Sequence, residues 1–407
     1  MRADVLIVGG GLAGLTLAGV LGEAGVNTIV VDRDPPAAQL STVYDGRTTA
    51  ISFASHQVLT AAGVWQKIRK DCAPILDIRV ADGDAPGFLH FCADTDGNGA
   101  PFGWIIENRL LRKALFENVQ RFKNVTHLAP AAAVSFFEND KNAGVVLDNG
   151  TRIEASLRIG ADGRQSATRA HLGIDVKSWS YEQTAIVCNV AHVLDHESVA
   201  VEHFMPAGPF AVLPMTDDDK GQHRSSVVWT VDTEDAPALL AQAAPQFDAA
   251  LQNLFGPHLG AVHHVSKPMG YPLQLLHADR YTGLRTVLMA EAAHVVHPIA
   301  GQGLNVSMRD VAVVAELVVD RLRLGLDCGA ESVLAHYEQL RRTDVLLMAA
   351  FTDGLNRLFS TGSAPVAAVR DFGLGIVEKN AFLKGFFARQ AMGLGGESPR
   401  IMRDGQV

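Results

Sequence analysis

Three blocks of apolar positions open the chain. Val5-Leu6-Ile7-Val8 is a continuous apolar run of strand length, residues 15–21 are apolar with helical character, and Val26 to Val31 read as a second strand. Gly9-Gly10-Gly11-Leu12-Ala13-Gly14 separates the first two blocks, and Asp32 closes the third. Strand, glycine turn, helix, strand and acid is the context in which a GxGxxG signal predicts a bound dinucleotide. Gly9 permits the tight turn, Gly11 lets a pyrophosphate approach the backbone, and Gly14 lets the helix pack on the strand. The helix start offers unpaired N–H groups to phosphate, and Asp32 is placed to accept from a ribose hydroxyl.

Gly25 is placed to cap the first helix. A loop is expected over 35–45 and a helix over 55–62. Residues 80–103, rich in Gly, Asp and Pro, suggest short strands and turns, and a helix begins near Glu107. Strands are expected over 132–138, 144–147, 152–155 and 157–161, with Asp148-Asn149-Gly150 as a hairpin turn. From 184 to 231 the pattern becomes β segments without a long helix (185–191, 199–205, 208–213, 225–231), which predicts an antiparallel sheet. A helix over 236–254, a strand over 285–290, a long helix over 303–324 and a mostly helical remainder follow. The nucleotide fold thus starts at residue 1 and resumes after an antiparallel insertion.

Composition narrows the class. At 407 residues the chain suits two domains or one with a large insertion, and 48% apolar content is ample for a core. A net charge of −9 argues against nucleic acid as a partner. Cys72, Cys92, Cys188 and Cys328 are scattered without a CxxC pair, which fits a reducing, cytoplasmic setting. The first apolar run is the nucleotide strand itself rather than a signal peptide, and no uninterrupted apolar stretch is long enough to span a bilayer.

Two later segments also deliver an acid at a strand end. One is Asp162-Gly163-Arg164, with Arg169 downstream; the other is Glu291, followed by Pro298 and Gly301-Gln302-Gly303-Leu304-Asn305 at a helix start. Backbone N–H groups there would favour negative charge on a reduced flavin ring. His294 and His297 are no metal pair, because Pro298 prevents a regular helix and no ligand cluster accompanies them. No GxSxG elbow supports a hydrolase.

Together the three motifs resemble those of the class A FAD-dependent aromatic hydroxylases. Asp45-Gly46-Arg47-Thr48-Thr49-Ala50-Ile51, Gly208-Pro209-Phe210-Ala211-Val212-Leu213-Pro214 with Trp229-Thr230, and the His297 to Asn305 run followed by Arg309-Asp310-Val311 are similar to the ubiquinone-biosynthesis branch. The third motif reads Ala290-Glu291-Ala292-Ala293-His294, where that family usually has Gly-Asp-Ala-Ala-His. The resemblance implies an α/β fold: a Rossmann-like, para-hydroxybenzoate-hydroxylase-like FAD domain (1–75, 104–183, 268–345), an inserted antiparallel substrate domain (76–103, 184–267) and a C-terminal helical region (346–407). It implies FAD on Gly9, Gly11, Leu12, Ala13, Gly14, Asp32, Arg33, Arg47, Arg109, Asp162, Gly163, Glu291, Pro298, Gly301, Gln302, Gly303, Leu304 and Asn305. Pro298 would lie near the flavin ring, and no side chain is assigned as catalytic. Phe210, Val212, Leu213 and Trp229 are the pocket candidates, with plain sheet core as their alternative. The implied reaction hydroxylates a polyprenylated phenol through a flavin C4a-hydroperoxide, with O₂ as co-substrate and NAD(P)H or a protein as electron donor. A small soluble phenol, or a non-catalytic FAD-binding scaffold, are the competing readings. The C-terminal Phe382 to Arg389 stretch suggests a membrane surface or a quinone-biosynthesis complex as partner.

Overall fold

The computed structural model describes residues 1–41, 46–83, 88–96, 99–297, 301–360, 375 and 377–407. Asp45 and Pro298 lie outside them.

The first sheet is built on five parallel strands: Thr286–Leu288, Arg152–Gly160, Arg2–Val8, Thr28–Val31 and Val125–Leu128, in that spatial order. A hairpin, Ala133–Glu138 with Ala143–Leu147, extends from Arg152–Gly160. Parallel strands buried on both faces need covers on each side. One face takes helices Leu12–Glu23, Asn108–Val119 and Gln302–Arg323. The hairpin residues close a smaller core on the other. Thr286–Leu288 comes some 125 residues after its neighbour in sequence, so the sheet resumes after the insertion. Four of these parallel strands carry motif residues just past their C-terminal ends: the glycine turn, Asp32, Asp162 and Glu291. Parallel pairing therefore collects all three motifs at one sheet edge, where such sheets bind ligands.

The second sheet is largely antiparallel. Its order is His294–Val295, Met269–Ala278, Val176–His192, His223–Asp232, Gly208–Met215, Val199–Met205, Asp77–Asp82 and Phe88–Cys92. Val176–His192 is irregular between Ser180 and Thr184, where Glu182 adopts φ 53°. Helix Ala244–Phe255 covers one face through Phe247, Leu251 and Phe255. The inner part of helix Glu331–Ser360 reaches the other, stacking Phe359 on Phe204 with ring centroids 3.8 Å apart. A small sheet of Thr48–Ser52, Gly103–Glu107 and Ala73–Ile75 lies between the two large ones.

Several expectations are corrected. Pro36–Gln39 is one helical turn rather than loop, with proline in its favoured first-turn position. Residues 152–160 form one strand rather than two, because the parallel pairing with Arg2–Val8 keeps one register on both sides of Ser156. The helix expected over 236–254 is two, Ala236–Leu240 and Ala244–Phe255, the second restarting at a proline-bearing first turn. The strand expected over 285–290 stops at Leu288 and gives way to a 3-10 turn, Ala290–Ala292. Ala93–Asp96 adds a helical turn among the expected strands. Val176–His192 starts well before the expected segment at 185, since its exposed first half lacks apolar alternation, and Met269–Ala278 is a strand where none was expected.

Candidate functional site

The glycine turn divides its duties by space. Gly9 has φ +111°, and a Cβ there would run into the Ala161 carbonyl. A Cβ on Gly14 would strike the Gly9 carbonyl. Gly11 is different: a Cβ there would meet nothing. It is the N-cap of helix Leu12–Glu23, which has no side-chain cap and no acid in its first turn. The first-turn N–H groups of this helix, Leu12 and Ala13 among them, have no intrahelical acceptor. A phosphate could therefore approach the backbone at Gly11. Asp32 is nearly buried, accepts from the Asp34 N–H at 3.0 Å, and lies 2.5 Å from where a Gly10 Cβ would sit. Arg33 is exposed, 3.9 Å from Asp34.

Asp162 is engaged in its own turn. Its carboxylate accepts from Ser166 Oγ (2.5 Å), the Thr168 N–H (2.9 Å) and Thr168 Oγ1 (3.0 Å). Gly163 faces open space at φ +79°. The second and third motifs then touch. Arg164 forms a two-pronged pair with the exposed Glu291 at 3.2 and 3.3 Å, and Arg169 donates to the Ala292 carbonyl at 2.8 Å. Glu291 follows Ala290, whose φ of +53° is a conformation that costs an alanine about 1 kcal/mol.

The 301–305 turn repeats the arrangement of the first. Gly301 is a left-handed N-cap of helix Gln302–Arg323, again with no side-chain cap and no first-turn acid, and Gly303 opens onto free space. Ala50 lies 2.9 Å from where a Gly301 Cβ would sit, and Asn305 Oδ1 accepts from the Ser52 N–H at 3.0 Å. Gln302 is half-buried, and Leu304 packs on the main core. The turn is thus pinned to strand Thr48–Ser52, which begins next to Arg47. Arg47 is half-buried, and its carbonyl accepts from the Asn108 N–H at 3.0 Å. Arg109 pairs with Glu107 at 2.6 Å, and Glu107 also receives Arg224 at 3.1 Å. Glu107 thereby links the first helical layer to the second sheet.

The four pocket candidates do not lie together. Side chains alternate along a strand. Phe210 and Val212 face helix Ala244–Phe255, as does Trp229, the cross-strand partner of Phe210, and all three belong to that core. Leu213 faces the other way. Its cross-strand partner, Ser226, bonds Thr48 Oγ1 at 2.7 Å, so this second face is the one turned toward the 301–305 turn. Glu202 lies on it, opposite Ala211 and Val80, and burial raises its carboxyl to about 7. Sequence reasoning missed Glu202, although an acid amid strand-forming residues was a visible signal.

It also missed a buried charge network behind the third motif. Asp310 is fully buried and accepts from the Ala290 N–H (2.8 Å), His294 Nε2 (2.6 Å) and Arg341 Nε (2.6 Å). Burial opposes its charge, but His294 and Arg341 outweigh that and bring the carboxyl to about 2. Arg341 also pairs with Asp344, which receives Arg309. Arg309 in turn donates to the Gly393 and Gly395 carbonyls at 2.9 and 2.8 Å, tying in the C-terminal segment. Asp310 was legible in part: it falls on the apolar stripe of its helix with Val306, Val313 and Val314. His297 is completely buried against the Tyr181 ring, neither of its nitrogens has a hydrogen-bond partner among the described residues, and burial lowers it to about 4.

Two glycine-capped helix starts and a parallel sheet gathering three acids at one edge, with a large antiparallel sheet beside them, define a dinucleotide-binding α/β protein with a second, antiparallel sheet, the architecture expected of the flavoprotein aromatic hydroxylases. The comparisons agree. A family model described as FAD binding domain matches residues 2–351. The "Ubiquinone hydroxylase UbiL" of Rhodospirillum rubrum is 48% identical, with 98% of this chain and 92% of that one aligned. The "Ubiquinone hydroxylase UbiM" of Neisseria meningitidis is 30% identical over 97% and 85%. The p-nitrophenol 4-monooxygenase PnpA of Pseudomonas putida superposes with a TM-score of 0.77 at 18% identity, covering 97% and 99%. The chain belongs to the class A FAD-dependent aromatic hydroxylases, in the branch of the ubiquinone-biosynthesis enzymes.

Proposed function

We propose that the chain hydroxylates the aromatic ring of a polyprenylated phenol in ubiquinone biosynthesis. The 48% identity to a ubiquinone hydroxylase over nearly its whole length carries this reading. The site fits FAD on a separate ground: Gly11 and Gly303 each leave open, beside an uncapped helix start, the space a side chain would fill. In this reading the N–H groups at 11–14 hold the pyrophosphate and Asp32 the adenosine ribose. Asp162 and Glu291 border the ribityl path, with Arg47 and Arg109 beside the flavin half. Bound FAD, reduced by NAD(P)H or a protein donor, supplies the oxygen-transfer chemistry with O₂.

The protein's own work is then binding, orientation and shielding. N–H groups at 301–305 favour negative charge beside them. Leu213 and Ala211 give the facing sheet surface an apolar floor for an aromatic ring, and the Glu202 carboxyl can exchange a proton there near neutral pH. Among the described residues no helix is long and apolar enough to cross a membrane.

The test is anaerobic reduction of the FAD-loaded protein, then oxygen with a prenylphenol present. A product hydroxylated at one ring carbon is expected. Turnover of short phenols alone would move the substrate to the soluble class. A flavin that no donor reduces would make the chain a scaffold.

A further inference from the structure

Helix Glu331–Ser360 has two different sides. Inward, Phe359 stacks on Phe204 and Asn356 donates to Gln183, so this side covers the sheet face assigned above to the substrate. Outward, Leu347, Phe351 and Leu358 recur at i, i+4 and i+11 and are all exposed, Leu347 to 67%. Helix Ala381–Ala391 extends this outer face, since Phe351 and Phe387 pack with rings 6.4 Å apart. On it Phe382, 76% exposed, and Phe386 lie one turn apart. Lys379 precedes them and Arg389 follows at i+7 from Phe382; both cations are exposed, and neither joins an ion pair among the described residues.

Single exposed apolar residues need no explanation, but a contiguous aromatic and aliphatic patch does. We propose that this two-helix face docks on a bilayer surface containing anionic phospholipid. The phenylalanines would enter the boundary between headgroups and acyl chains, and Lys379 and Arg389 would meet lipid phosphates. The two cations stand against a chain of net charge −9, so the positive rim is a local feature of this patch. That rim also disfavours a second copy as occupant, because a two-fold pairing of one face brings its like charges together. The proposal rests on the prenylphenol reading for its purpose: it sets the bilayer against the outer side of the helix whose inner side covers the substrate face.

The test floats the FAD-loaded full chain with phosphatidylcholine vesicles, with or without phosphatidylglycerol. Binding is expected with the anionic vesicles. Lys379→Glu and Arg389→Glu should each weaken it about fivefold or more, and Phe382→Ser with Phe386→Ser about tenfold or more, all with flavin content unchanged. No flotation of the parent chain, or equal flotation of these variants, overturns the proposal. So does a parent dimer that Phe382→Ser dissociates, which would assign the face to a second copy. Vesicle binding without prenylphenol hydroxylation would refute the substrate reading and leave the docking surface standing. Hydroxylation of detergent-solubilised substrate without flotation would do the reverse.

Discussion

Replacing Asp310 by asparagine is the sharpest test of how the third motif is held. The native carboxylate accepts three hydrogen bonds, from Ala290, His294 and Arg341. Asparagine offers one oxygen, and its NH₂ would face a donor. The change also leaves Arg341, 1% exposed, with Asp344 as its remaining acidic partner among the described residues. Breaking a buried pair from one side costs about 3–5 kcal/mol, and the surviving Asp344 places this case near the lower end, about 3. A second route gives a similar size. A carboxyl lowered from 3.8 to about 2 is worth about 2 kcal/mol at neutral pH. Because the folded pKa is the depressed one, this stabilisation is fully present above pH 3.8 and is lost as pH falls toward 2. Urea unfolding of parent and Asp310→Asn at pH 7, 5 and 3.5 reads both effects. We expect a deficit of about 3 kcal/mol at pH 7 that starts to narrow at pH 3.5. A deficit under about 1 kcal/mol at pH 7, or one that does not change below pH 4, refutes the reasoning.

Other outcomes follow from single positions. Gly11→Ala should leave apoprotein unfolding within about 1 kcal/mol of the parent while weakening FAD binding in a fluorescence titration; Gly14→Ala should instead lower apoprotein stability, since its Cβ meets backbone. Ala290→Gly relieves the positive φ and should stabilise by about 0.5–1 kcal/mol in urea; a loss would show that the alanine makes contacts worth more than the strain. His297 stays neutral when folded, so the parent should lose up to about 3 kcal/mol as pH falls from 6.5 to 4, and His297→Leu should flatten that limb of the stability curve. Glu202 behaves oppositely: its raised carboxyl makes stability fall as pH rises from 4.5 to 7. In Glu202→Gln that fall should vanish, and any pH-rate limb near 7 should vanish with it.

The sequence by itself determined what depends on neighbours along the chain. The glycine turn was legible because strand, turn and helix are consecutive and each glycine answers a local steric demand. The family was legible because its motifs are short and ordered. What needed the tertiary structure was anything decided across strands or between distant helices. Pleat parity and pairing assigned Phe210, Val212 and Trp229 to the core beneath a helix and left Leu213 on the other face. No local pattern pairs Glu291 with Arg164 or brings Arg341 to Asp310, because charge pairing acts through space. The helix Glu331–Ser360 reads in sequence only as helical. Packing alone decides which side covers the second sheet and which side is left exposed.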